Sequence, residues 1–182
     1  MRYWDFLMGY IKLMIYKIVY NSKLKCDLCI KMSRNASLRS LSKGKIVLGK
    51  NCTLSSNARV SAVNGAEVKI GTNSGIGYND MIVGREKIII GDNVMLGPGV
   101  CVYDHDHVYN TNSVMRDAGY KTEAVIIHNN VWIGANCIIL KGCEIGENSV
   151  IAAGTVVKGK IPSNSIVYRE GTLIVKEIKR HE

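Results

Sequence analysis

Proline is nearly absent from this sequence: Pro98 and Pro162 are the only two in 182 residues. That excludes a proline-rich linker or a polyproline protein. Aromatic residues are few as well, 7% of the chain with one Phe and two Trp, so the core must be aliphatic. No uninterrupted run reaches the ~20 apolar residues of a transmembrane helix. The most apolar stretch, Trp4 to Tyr20, is broken by Lys12 and Lys17. The same lysines spoil the apolar segment of a secretory signal, and no small-x-small cleavage site follows. Acidic residues are scarce in one region only. Residues 1–45 hold 10 Lys/Arg against 2 Asp/Glu, whereas residues 46–182 hold 14 against 13. The chain is therefore a near-neutral body with a basic N-terminal piece. A nucleic-acid protein carries its basic face within the fold, so nucleic acid is not an expected partner. A basic appendage suits an anionic membrane surface or an acidic partner.

What is present argues for an ordered, turn-rich domain. The apolar content of 47% against 21% charge excludes wholesale disorder. Eighteen glycines beside two prolines fit a chain of many tight turns. Six cysteines without a secretory signal point to a reducing cytoplasm. Cys26-x-x-Cys29 has metal or redox spacing, but no second pair or His cluster accompanies it, and no metal is expected.

Within residues 1–29, Trp4, Leu7, Met8, Ile11, Met14, Ile15 and Ile18 recur at helical spacing and form one apolar face. Two readings of this amphipathic helix stand side by side. It packs on the protein's own body or a sister subunit. Alternatively, residues 1–22 lie on an anionic membrane, with Lys12, Lys17, Lys23 and Lys25 near the headgroups.

From Leu48 the chain repeats with period six. Aliphatics fall at Leu48, Leu54 and Val60, then Ile70, Ile76 and Ile82, then Ile90, Leu96 and Val102. The longest run is Ile127, Ile133, Ile139, Ile145, Ile151 and Val157. A small residue often follows directly, as at Gly49, Gly71, Gly97 and Gly134, and another comes four later, as at Cys52, Ala58, Ser74, Cys137 and Ser149. Three hexads close one triangular coil, with the aliphatic inside and the small residue near a corner, and stacked coils bury a continuous core. The spacing predicts an all-β parallel β-helix over residues 30–162, with a tail over 163–182. Met32 and Leu38 extend the pattern at its start. The repeat breaks once, after Val102. Tyr103-Asp-His-Asp-His107 follows, and residues 108–124 have no hexad phase, so they form a loop insertion of the kind that shapes a binding face.

The segment from Ile127-His-Asn-Asn-Val-Trp-Ile-Gly-Ala to Ala-Ala-Gly-Thr-Val-Val157 resembles the hexapeptide-repeat acyltransferases. Its nearest likeness is to the branch of maltose, galactoside and surface-polysaccharide O-acetyltransferases, over roughly Ile70 to Ile178. The resemblance implies a left-handed β-helix and a homotrimer with active sites between subunits. It also implies acetyl-CoA as donor and a carbohydrate hydroxyl as acceptor. Carried over by position, it makes His105 the general base, with His107 as second choice. It puts Trp132, Ala135, Ala153, Lys158 and Lys160 at the coenzyme. The acceptor would be met by Asn79, Asp80, His107, Arg116 and Tyr120.

A base is what the chemistry requires, since the acceptor hydroxyl must lose its proton as it attacks the thioester. Asp104 and Asp106 flank His105, but neighbours on an extended chain point to opposite faces, so an orienting carboxylate is expected from another coil, with Asp80 the candidate. Two departures from the family leave the acceptor open. Gly77-Tyr78-Asn79 stands where sugar-acetylating relatives have Asn-x-Asn, and Tyr168-Arg-Glu-Gly171 replaces the usual tail motif. The alternatives are N-acetylation of an amino sugar nucleotide, acetylation of serine or an antibiotic, and a non-catalytic scaffold prism. A carbonic anhydrase on this fold needs a second His five residues after His128, where Ile133 stands.

Overall fold

The computed structural model describes residues 3–27, 29–109 and 114–169. Most of the tail expected over 163–182, including Glu170 and Gly171 of the replaced tail motif, lies outside the described residues, as do 110–113 of the insertion.

Each coil contributes one short strand to each of three parallel sheets, which form the faces of a prism. The first face runs from Leu24–Cys26 through Lys45–Leu48, Glu67–Ile70, Lys87–Ile90, Val125–Ile127 and Glu144–Ile145 to Lys160–Ile161. The second begins at Lys31–Met32, includes Met95–Leu96, Trp132–Ile133 and Val150–Ile151, and ends at Ile166–Val167. The third begins at Ser37–Ser40, includes Cys101–Tyr103 and Ile138–Ile139, and ends at Val156–Val157. The architecture is a left-handed parallel β-helix with one N-terminal helix. Its first paired strand precedes residue 30 and its last follows residue 162, so the solenoid is longer at both ends than the repeat implies.

Every aliphatic of the hexad series is buried, including Met32 and Leu38 at its start. Each fully buried Ile or Leu contributes about 1.5–3 kcal/mol. The small positions are equally enclosed: Cys52, Ala58, Cys137, Cys143 and Ser149 are all at 0% exposure. Burial pushes the Cys52 and Cys143 thiols up to about 11, so both sit as neutral packing groups. Where the six-residue phase falters in the first half, longer strands absorb the surplus. Leu48 pairs with Ile70, 22 residues on, whereas Ile127 pairs with Ile145, 18 residues on.

Asparagine sets the corners, three residues after the inward aliphatic. Asn51, Asn73, Asn93, Asn130, Asn148 and Asn164 all adopt left-handed backbone, with φ between 53° and 59°. Asn tolerates this region because its short amide bonds locally. The side chains stack into a ladder: Asn51 Nδ2 donates to Asn73 Oδ1 at 3.1 Å, and Asn73 Nδ2 to Asn93 Oδ1 at 3.2 Å. A second run at the same corner joins Asn130 Nδ2 to Asn148 Oδ1 and Asn148 Nδ2 to Asn164 Oδ1.

Helix α1, Tyr3–Tyr20, caps the first coil. A solenoid end is an open strand edge and needs cover. Lys12 Nζ donates to the carbonyls of Arg34 at 3.0 Å and Ala36 at 2.8 Å, and Tyr20 Oη–H donates to Leu38 O at 3.1 Å. Asp5 accepts from the Arg34 N–H at 3.2 Å. Leu13 is fully buried in the core. Gly9 lies so close to the Met32 carbonyl that a Cβ there would overlap it. The helix therefore packs on its own chain, but not through the face the spacing singles out. Trp4, Leu7, Ile11, Ile15 and Ile18 are exposed, and Lys12 points at protein carbonyls rather than outward. Spacing finds an apolar stripe, but the open carbonyl edge selects the side of the helix that carries donors. No described helix is long and apolar enough to cross a membrane.

Candidate active site at the break in the coil

The insertion leaves the prism at the corner between third and first faces. The third-face strand ends at Tyr103, the chain bends at Asp104, and His105–His107 then pairs antiparallel with Tyr120–Thr122. The insertion thus begins and ends as a two-stranded ribbon, where sequence phase gives only a loop.

The bend decides the chemistry. Asp104 is fully buried, and its carboxylate accepts three backbone N–H groups, of Arg85, Glu86 and Lys87, at 2.8–2.9 Å. The same carboxylate meets His105 Nδ1 at 2.9 Å. The alternation argument that sets Asp104 aside fails, because residues on either side of a bend do not alternate. The orienting carboxylate is the residue next to His105.

Asp80 has a different task. It is fully buried at the corner between second and third faces, where it accepts the N–H groups of Val100 at 2.8 Å and Gly77 at 2.5 Å. Burial pushes its carboxyl up to about 6. Enclosed in this way it holds a turn, and the carboxylate that meets His105 Nδ1 is Asp104, not Asp80. Asn79 sits in the same turn with φ 62°, and its Oδ1 accepts from Asn57 Nδ2 at 3.1 Å.

Around the imidazole, Tyr120 packs edge-on to His105, with centroids 5.4 Å apart, and against His107 at 4.4 Å. The Arg85 guanidinium lies 3.4 Å from the Tyr120 ring centroid. Sequence reading misses Arg85, because it lies a coil away with no phase of its own. His107 is exposed, Arg116 lies exposed in the turn near 115–117, and Lys141 pairs with Asp106 at 3.6 Å.

The other expected residues lie elsewhere on the same prism. Trp132 is 52% exposed on the second face, between Met95 and Val150. Ala135 and Ala153 follow at the corner between second and third faces, in turns packed too closely for a side chain at Gly97 or Gly134. Lys158 is exposed at the third-to-first corner, but Lys160 reaches Glu144 on the first face at 3.0 Å. Glu144 also contacts His128 at 3.2 Å. Hydrogen bonds from Lys160 and His128 hold the Glu144 carboxyl below its usual range. One protomer thus brings together His105, His107, Tyr120 and Lys158 on one edge, and Asn79, Trp132, Ala135 and Ala153 on or beside another. The width of the third face separates the two sets.

Residues 124–159 match the family model described as bacterial transferase hexapeptide (six repeats). The galactoside O-acetyltransferase of Lactococcus lactis subsp. lactis is 33% identical over 131 residues, which are 72% of this chain and 62% of that protein. The galactoside O-acetyltransferase of Escherichia coli K12 is 33% identical over 63% of this chain and 56% of its own length. The chain thus spans about three fifths of these relatives. Among solved structures, a mutant of AntD, an N-acyltransferase from Bacillus cereus, in complex with dTDP-4-amino-4,6-dideoxyglucose and coenzyme A, superposes with a TM-score of 0.70. It covers 93% of this chain and 90% of that one at 23% identity, a likeness of fold.

Proposed function

We propose that the chain is an acetyl-CoA-dependent O-acetyltransferase of the hexapeptide-repeat kind, acting on a hydroxyl of a sugar or surface-polysaccharide unit, a reading its similarity to that family supports. The observation that carries this reading is the Asp104–His105 pair at the break in the coil. With the Asp104 carboxylate accepting Nδ1–H, the imidazole is held in the tautomer whose Nε2 carries the lone pair. Nε2 takes the acceptor hydroxyl proton as the oxygen attacks the thioester carbonyl. The tetrahedral intermediate collapses, expelling the coenzyme thiolate, and the proton on Nε2 goes to the leaving sulfur. No covalent bond to the enzyme is needed, and Cys52 and Cys143, buried and neutral, take no part.

The separation of the two residue sets supports an assembly in which copies share each site. A second copy that sets its Trp132 side and second-to-third corner against the first copy's His105 edge completes the site, and three copies close a homotrimer. Two exposed apolar columns support this packing: Met95, Trp132 and Ile166 on the second face, and Ile138 with Val156 on the third. Ala135 and Ala153 allow the pantetheine arm close to backbone, and Lys158 faces the coenzyme phosphates. Lys160 is the weaker phosphate partner because Glu144 already holds it. Tyr120, His107 and Arg116 rim the acceptor side. The enzyme works in the cytoplasm, at the inner face of the membrane when residues 1–22 engage it.

Coenzyme binding tests the reading. Acetyl-CoA at about 100 times its dissociation constant stabilises a native-only binder by about 2.7 kcal/mol, a readily measured rise in melting temperature. No rise at saturation contradicts a coenzyme A enzyme.

A further inference from the structure

The polarity of α1 is inverted. Asp5, Lys12 and Tyr20, the groups a surface helix turns to water, are spent on the carbonyls and amides of the first coil. Trp4, Leu7, Met8, Ile11, Ile15 and Ile18 face outward, from 38% exposed at Met8 to 81% at Ile18. We infer that this outward face is a docking surface for an anionic lipid bilayer, with α1 lying in the interface plane and the prism standing on its N-terminal end. The inference rests on the membrane placement given above and names the face, the residues and the orientation.

Charge selects the occupant. Eight net positive charges fall within residues 1–45. Lys31 lines the open groove formed with Phe6, Leu7, Tyr10 and Ile30 along the helix. Lys23, Lys25 and Lys45, three cations against the single carboxylate of Glu67, line the next groove, directly after the helix. A second copy would bring an identical cationic end against this one, and repulsion opposes that contact. Anionic headgroups complement it, each basic residue near such a surface adding about 1 kcal/mol. The helix, ~27 Å long at 1.5 Å per residue, is a shallow, apolar-faced rod with aromatic residues near its start, as an interfacial helix requires. Contact between copies has its own apolar columns on the second and third faces. Docking on this end would hold the active edges upright above the membrane, within reach of a lipid-linked saccharide.

The test is sedimentation of the full chain with vesicles of phosphatidylcholine alone and of phosphatidylcholine and phosphatidylglycerol in equal parts. The intact chain binds the anionic vesicles, and rising salt weakens the binding. Ile11→Glu with Ile15→Glu alters two exposed positions, so melting and thiol release with a soluble acceptor stay unchanged while vesicle affinity falls on the order of tenfold or more. Replacing Lys23, Lys25 and Lys31 by Gln removes the preference for anionic over neutral vesicles. Three results overturn the inference: no binding by the intact chain, binding that survives the double Glu variant, or a double variant that loses its oligomer while vesicles have no effect. The last assigns the face to a second copy. None of them bears on acetyl transfer, which the soluble acceptor reads separately.

Discussion

Asp104 Oδ1 lies 2.9 Å from His105 Nδ1, and the same carboxylate gathers the backbone N–H groups of Arg85, Glu86 and Lys87 from the preceding coil. One buried side chain therefore fixes both the imidazole and the corner from which the insertion leaves. Asp104→Asn should lower the acetyl-transfer rate on the order of 10²–10⁴-fold through loss of the productive tautomer, with KM for acetyl-CoA nearly unchanged. It should also lower stability by about 1–3 kcal/mol, since the amide has one acceptor oxygen for several donors. Steady-state kinetics and denaturant unfolding check the two effects. An Asn variant with full rate would free His105 from its orienting partner.

The cap should be sensitive at Gly9. A Cβ there overlaps the Met32 carbonyl, which is backbone and cannot rotate away. Gly9→Ala should lift α1 and cost about 1–3 kcal/mol, although alanine is the better helix former. Thermal melting decides. An unchanged or raised midpoint would mean that the helix does not sit on the coil end.

Asp80 predicts a pH dependence. Its folded carboxyl is pushed up to about 6 by burial, above the unfolded value of 3.8. The folded state then binds the proton more tightly. The stability Asp80 confers is fully present below the unfolded pKa and is lost as pH rises through the folded one. Between pH 4 and 7 the loss reaches about 2 kcal/mol. Asp80→Asn should flatten that part of the stability profile, and an unaltered profile would place the proton elsewhere.

The asparagine ladder gives a substitution pair. Asn73 holds φ 56° in mid-ladder. Asn73→Ala should cost about 1–2 kcal/mol in backbone strain, plus the ladder bonds. Asn73→Gly loses the bonds but keeps the backbone, so it should be the milder of the two. Equal losses in denaturant unfolding would assign the effect to the hydrogen bonds alone.

The prism was legible because one inward aliphatic per hexad is a strong and local pattern. Ile127 through Val157 read directly as buried positions. The ladder is present in the sequence too, as Asn three residues after the first-face aliphatics Leu48, Ile70, Ile90, Ile127, Ile145 and Ile161, although attention to the small residues passes over it. The carboxylate beside His105 was not legible, because the bend at Asp104 overrides strand alternation and leaves no mark in composition. Arg85 was not, because solenoid neighbours lie a coil apart in sequence. The exposed face of α1 was half legible: its residues follow from helical spacing, but its direction depends on carbonyls of the first coil that spacing does not contain.

The most direct measurement of the central claim is free thiol release from acetyl-CoA by the intact protein over a panel of carbohydrate acceptors, with His105→Ala alongside. The account predicts release that depends on a hydroxyl acceptor. It predicts a fall of about 10²–10⁴-fold in the rate for His105→Ala, with coenzyme affinity little changed. Release that proceeds near the full rate in His105→Ala, or a panel on which the intact protein transfers nothing, would contradict it.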